Sequence, residues 1–171
     1  MPLNLRAAID VRAPAARVFE LICTPERLPE WNVSVEAARR VAADEPVRCG
    51  SRAVMTGRLL GQSLESETEV TDFEPPRLFV TRAVRGPRLT TRFALESQAY
   101  GTHVDLEVSG EVPGGTIGAR IAEGFLKREL GASLERLKVI AEAEAHQEAA
   151  EEAVLGGDPA CWLHLEESRD G

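Results

Sequence analysis

Residues 13–31, Ala-Pro-Ala-Ala-Arg-Val-Phe-Glu-Leu-Ile-Cys-Thr-Pro-Glu-Arg-Leu-Pro-Glu-Trp, constrain the fold more than any other stretch of this chain. They follow an alternating segment in which Leu3, Leu5, Ala7, Ile9 and Val11 interleave with Asn4, Arg6, Ala8, Asp10 and Arg12, the period of a strand with one buried face. Pro14 suits a first helical position, where its missing N–H costs nothing. Val18, Leu21 and Ile22 then form the inner stripe of a short helix. Thr24 is placed to cap a second helix that has Pro25 at its first position; Pro29 should end or bend that helix before Trp31. One strand, two short helices, a run of hairpin strands and a closing long helix form an order that builds a sheet curled round one helix, with room left between them.

The strands that follow read as Val33–Val41, Ser51–Leu59, Gln62–Phe73, Leu78–Arg85, Leu89–Ser97 and Thr102–Val112, divided by Gly- and Pro-containing turns. Such short connections imply hairpins and an antiparallel meander. Alternation sets the faces. Leu64, Ser66, Thr68 and Val70 oppose Glu65, Glu67, Glu69 and Thr71, and the glutamates must face water because buried unpaired carboxylates cost too much. Leu89, Thr91, Phe93 and Leu95 likewise point in, as do Val104, Leu106 and Val108.

After Gly114-Gly115 the pattern turns helical from Thr116 to about Ala153. Its inner stripe runs from Ala119 through Leu126, Leu130, Ser133 and Leu137 to Ala141. Ile117, Ile121 and Phe125 form a second stripe, read either as packing against the loops between strands, which is favoured, or as a gate or contact surface. Beyond Ala141 the helix is mostly Ala and Glu, and should project into solvent or meet a partner such as a second copy in a homodimer. Residues 1–153 are expected to be one domain and 154–171 a tail, in which Trp162, Leu163 and Leu165 suggest partial docking.

The formal charge of −8 argues against nucleic acid and against anionic lipid surfaces. Cys23, Cys49 and Cys161 show no paired spacing and read as reduced thiols of a cytoplasmic protein. No signal peptide or membrane span is evident.

Several segments together resemble one family. They are the opening strand with Ala13-Pro14 through Val18-Phe19, Pro25-Glu26 to Trp31, Gly50-Ser51, Val70 through Leu78 with Phe73-Glu74-Pro75-Pro76 at its centre, Gly101-Thr102, and Leu134 to Lys138. Over about residues 3–145 the chain is similar to the START-like, or polyketide cyclase/dehydrase and lipid-transport, superfamily (SRPBCC). The resemblance implies an α+β helix-grip fold: a curved seven-stranded antiparallel sheet wrapped around a long C-terminal helix, with two short helices between strands one and two. It also implies relatives that carry lipids, quinones or hormones, cyclise polyketides, or assist chaperones.

A bent sheet around one helix, with small residues such as Ser66, Thr68, Thr91 and Ser133 turned inward, leaves room for an apolar ligand; a tightly packed core is the alternative. Met55, Phe79 and Phe93 from the strands and Leu126 and Leu130 from the helix are the other candidate lining groups. Trp31 is an aromatic wall near the mouth or a structural anchor. Arg82 is open: with Leu78, Val80 and Val84 turned in, it would hold a ligand carboxylate, whereas with Phe79, Thr81 and Ala83 turned in, it lies on the wet face. The wet face is favoured because a buried unpaired guanidinium is costly.

No catalytic set stands out, since His103, His146 and His164 lie away from the expected cavity, and no metal site or cofactor is expected. The expected function is binding or transport of a small hydrophobic molecule. The alternatives are a polyketide cyclase or dehydratase, and an interaction module without a ligand.

Overall fold

The computed structural model describes residues 2–111 and 116–156. Strand β1 (Pro2–Val11) leads to α1 (Ala15–Cys23), a 3-10 turn (Pro25–Arg27) and α2 (Leu28–Trp31). Six strands follow: β2 (Val35–Arg40), β3 (Arg52–Leu59), β4 (Gln62–Glu74), β5 (Leu78–Arg85), β6 (Leu89–Gln98) and β7 (Gly101–Glu111). The long helix α3 (Thr116–Leu155) comes last. The sheet order is β1-β7-β6-β5-β4-β3-β2, all neighbours antiparallel. This is the expected α+β helix-grip architecture.

Local detail departs from the sequence reading at the prolines. Pro14 sits at the N-cap of α1 rather than at its first helical position. Thr24 precedes the 3-10 turn but makes no side-chain capping bond. Pro29 does not end the second helix; it occupies the first turn of α2, where a missing N–H is harmless, and the helix runs on to Trp31.

The core lies between the concave sheet face and the helices. Val18, Leu21 and Ile22 are fully buried, as are Val104 and Leu106 beneath them and Leu134, Leu137 and Ala141 of α3. Phe19, Phe73 and Phe79 meet as tilted and edge-to-face pairs with centroids 5.6–6.3 Å apart. Phe73 reaches this cluster because β4 slips register between Val70 and Asp72. The bulge turns Asp72 outward and Phe73 inward, against strict alternation. On the outer face the glutamates of β4 stay wet and paired: Glu67 and Glu69 face Arg52 at 3.5 and 3.3 Å, and Glu65 pairs with Arg85.

The start of β7 is fixed by two groups. The Thr102 hydroxyl donates to the Ala13 carbonyl at 2.8 Å, and Gly101 adopts φ 149° where an added Cβ would lie 2.1 Å from the Val11 carbonyl oxygen.

Two expectations about α3 are corrected. The acidic stretch beyond Ala141 does not leave the body at once. Arg12 N–H donates to Glu142 at 2.9 Å, Glu144 pairs with Arg27, Glu148 pairs with Arg17, and Ala145 packs on the core. Exposure on all sides begins only near His146. At the other end, Ile117 and Ile121 are 79% and 66% exposed and so do not pack on the strand loops, while Phe125 is half-buried. No helix among the described residues is long and apolar enough to cross a membrane. The expected tail residues Cys161, Trp162, Leu163, His164 and Leu165, and the Gly114-Gly115 turn, lie outside the described residues.

Candidate functional site

The sheet and helices border a half-open cavity of about 270 Å³. One end wall is built by α1 and α2, which bring Ile22, Leu28 and Trp31 to it. The helical wall is the middle of α3, with Leu126, Leu130 and Ser133 at helical spacing. The sheet wall carries Met55, Ser66, Thr68 and the ladder of Phe79, Thr81, Thr91 and Phe93. In that ladder Phe79 opposes Phe93 and Thr81 opposes Thr91, so two rings and two hydroxyls sit side by side across β5 and β6.

Ten of the eleven candidate residues thus line one space: Trp31, Met55, Ser66, Thr68, Phe79, Thr91, Phe93, Leu126, Leu130 and Ser133. Arg82 does not. It is exposed on the convex face, opposite Glu69 and Thr90. The register that sets Phe79 against Phe93 turns Phe79, Thr81 and Ala83 inward, and every even-numbered residue of β5 outward.

Trp31 is 1% exposed; its indole N–H donates to the Leu21 carbonyl at 2.9 Å and its ring stands edge-on to Phe93. It anchors the helical cover and presents an edge to the cavity at once. The hydroxyls of Ser66, Thr68, Thr81 and Thr91 take part in no side-chain hydrogen bond among the described residues, and none is an orphan sealed in protein; they face the open space.

Cys23, Arg40, Ser34 and Glu129 are among the lining residues that sequence reasoning does not single out. Cys23 lies beside Ile22, and burial, reinforced by the nearby Glu20 charge, pushes its thiol up to about 11. Arg40 closes one corner of the mouth. Although burial opposes it, hydrogen bonds from the Arg40 backbone and guanidinium hold the Glu26 carboxyl below the usual range.

Ser34 and Glu129 form a clasp between the segment before β2 and α3. The Ser34 hydroxyl donates to Glu129 Oε2 at 2.5 Å, and one turn further along α3 the Ser133 hydroxyl accepts from Val33 N–H at 3.1 Å. Ser34 is itself held: its N–H donates to Asn32 Oδ1 at 3.0 Å, and its carbonyl accepts from Arg58 N–H at 3.0 Å. The same carbonyl presses on Gly57, where an added Cβ would lie 2.0 Å from the oxygen. The sequence signal was the spacing of Glu129, three residues after Leu126 and four before Ser133, on the flank of the inner stripe.

A second, larger cleft of about 480 Å³ lies at the connection from β2 to β3. Its guanidinium groups are already taken: Arg40 by Glu26, Arg48 by Glu45, and Arg52 by Glu67 and Glu69. His103 is on the convex face between Asp10 and Asp105, and His146 is exposed on α3.

Residues 2–142 match the family described as polyketide cyclase / dehydrase and lipid transport, and the chain belongs to that family. Solved structures agree on the fold. The protein TTHA0849 of Thermus thermophilus superposes with a TM-score of 0.71 at 19% identity, covering 84% of this chain and 99% of that one. A START superfamily protein of Mycobacterium smegmatis gives 0.60 at 20% identity, covering 84% and 97%. The di-domain ARO/CYC BexL of the BE-7585A biosynthetic pathway gives 0.64 at 19% identity, with 82% of this chain matching 50% of that chain. No curated protein sequence matches the chain.

Proposed function

We propose that this protein reversibly binds a compact hydrophobic molecule in its internal cavity. The observation that carries the reading is the pairing of an apolar enclosure with free hydroxyls. Ile22, Leu28, Trp31, Leu126 and Leu130 supply the walls, while Ser66, Thr68, Thr81 and Thr91 have no side-chain partner among the described residues. Each methylene buried there contributes about 0.8 kcal/mol, and the hydroxyls orient whatever polar atoms the guest carries. A volume of about 270 Å³ lies near the small end of ligand sites, which favours a fused-ring or short-chain guest over a long lipid. Family membership supports the same reading, since lipid transport is part of the family's description.

Native mass spectrometry of freshly purified protein, followed by organic extraction, tests it. The expected result is one dominant hydrophobic species that leaves on extraction and is lost from a Leu130→Trp variant whose indole fills the space. Protein that runs only at its sequence mass of 18.6 kDa, and takes up no hydrophobic probe, overturns the reading. Release of a chemically altered compound after incubation with a polyketide-like substrate replaces binding with catalysis.

A further inference from the structure

We infer that Glu129 is the recognition point for a hydroxyl head on the bound molecule, so that the cavity takes a neutral, hydroxyl-bearing hydrophobic ligand and rejects one that carries a carboxylate or phosphate. The inference rests on the cavity-binding reading and adds the ligand's chemistry to it.

The arginines at the cavity edge each meet a carboxylate that lies off its wall. Glu26 pairs with Arg40 at 3.0 Å, Glu36 with Arg58 at 3.0 Å, and Glu67 and Glu69 with Arg52. Those three arginines also reach the cavity edge, each already engaged by a carboxylate. Glu129 lines the same space and has no Lys or Arg within ion-pair distance among the described residues. Glu129 is the one carboxylate on the cavity wall among the described residues.

Glu129 is also fixed in place. Ser34 holds Oε2, and Ser34 is fixed in turn by Asn32, Arg58 N–H and the space left by Gly57. Oε1 has no hydrogen bond to the protein among the described residues. A carboxylate oxygen accepts and does not donate, whereas the hydroxyls deeper in the cavity do either. Those hydroxyls therefore tolerate many polar groups, and Glu129 is the one lining group that tells a donor head from an anionic one.

Matched naphthalene probes test this by calorimetry at neutral pH: methylnaphthalene, naphthol and naphthoate, all substituted at the same ring position. Wild-type protein should bind naphthol about tenfold or more tighter than methylnaphthalene, and naphthoate most weakly. Glu129→Gln should shrink the ratio of naphthol to methylnaphthalene affinity several-fold and raise naphthoate affinity relative to methylnaphthalene, which serves as the reference for any general change in the cavity. Ser34→Ala keeps the charge but frees the carboxylate; it should weaken naphthol while still rejecting naphthoate. Naphthoate binding as tightly as naphthol, or a naphthol preference undiminished in Glu129→Gln, overturns the inference while methylnaphthalene binding leaves the cavity reading standing. Failure of all three probes to bind removes both.

Discussion

Trp31 meets Phe93 edge to face, with ring centroids 5.9 Å apart and planes at 86°, so the last turn of α2 bears directly on the middle of the sheet. This contact joins the helical cover to the sheet wall at the edge of the cavity. Its position explains why four residues of helix, too short to be stable alone, hold a fixed place.

Trp31→Ala should cost about 3–5 kcal/mol, because it empties a fully buried site and leaves the Leu21 carbonyl without its donor. Trp31→Phe keeps an apolar ring and should lose much less. Urea unfolding midpoints of the two variants check this; a loss below about 1 kcal/mol for the alanine variant would show that the site collapses without harm.

Cys23 should react slowly with thiol reagents at neutral pH. Its thiol is half-buried against the cavity and titrates near about 11, so little thiolate is present. Cys49 is exposed and should label before Cys23. Peptide mapping of the labelled protein across a rising pH series gives the order, with Cys23 accelerating only at strongly alkaline pH. A cavity-filling ligand should slow it further.

His103 should make stability depend on pH in a defined direction. Its pKa is raised, first by the hydrogen bond to Asp10 Oδ1 at 2.6 Å and then by the charges of Asp105 and Asp10. A raised folded-state value means the contribution is complete below the unfolded value of about 6.5 and disappears as pH climbs through the folded one. His103→Gln should therefore destabilise at about pH 5.5 and be nearly silent at about pH 8.5. Paired denaturant melts read the difference; a penalty that grows with pH would contradict the assignment.

The strand faces were legible in the sequence because burial here follows period two. Leu89, Thr91 and Phe93 line the cavity as alternation requires, and the termini of β5 coincide with the turn signals on either side. Arg82 was ambiguous for a physical reason. Both faces of β5 begin with apolar residues, and Phe79 and Val80 are both buried, at 8% and 9% exposure. Only pairing with β6 decides between them. Pro29 misled because a proline that ends one helix also suits the first turn of the next. Ser34 and Glu129 are hard to find for another reason: their hydrogen bond joins residues 95 apart in the chain, and the place of Glu129 on the flank of the inner stripe does not set it apart from solvated helix residues until the packing is known. The Ile117 and Ile121 stripe shows the converse, since hydrophobic spacing gives an orientation relative to the inner stripe but not a partner.

The irregularity at Thr71 gives β4 a change of parity midway. Upstream of it even positions look inward; downstream the odd-numbered Phe73 does. Thr71 is the extra residue that makes this change: deleting it would leave Asp72 outward and Phe73 inward on a regular strand, whereas flattening the bulge at the same length would swing the Asp72 carboxylate toward the oily interior and eject an aromatic ring into water.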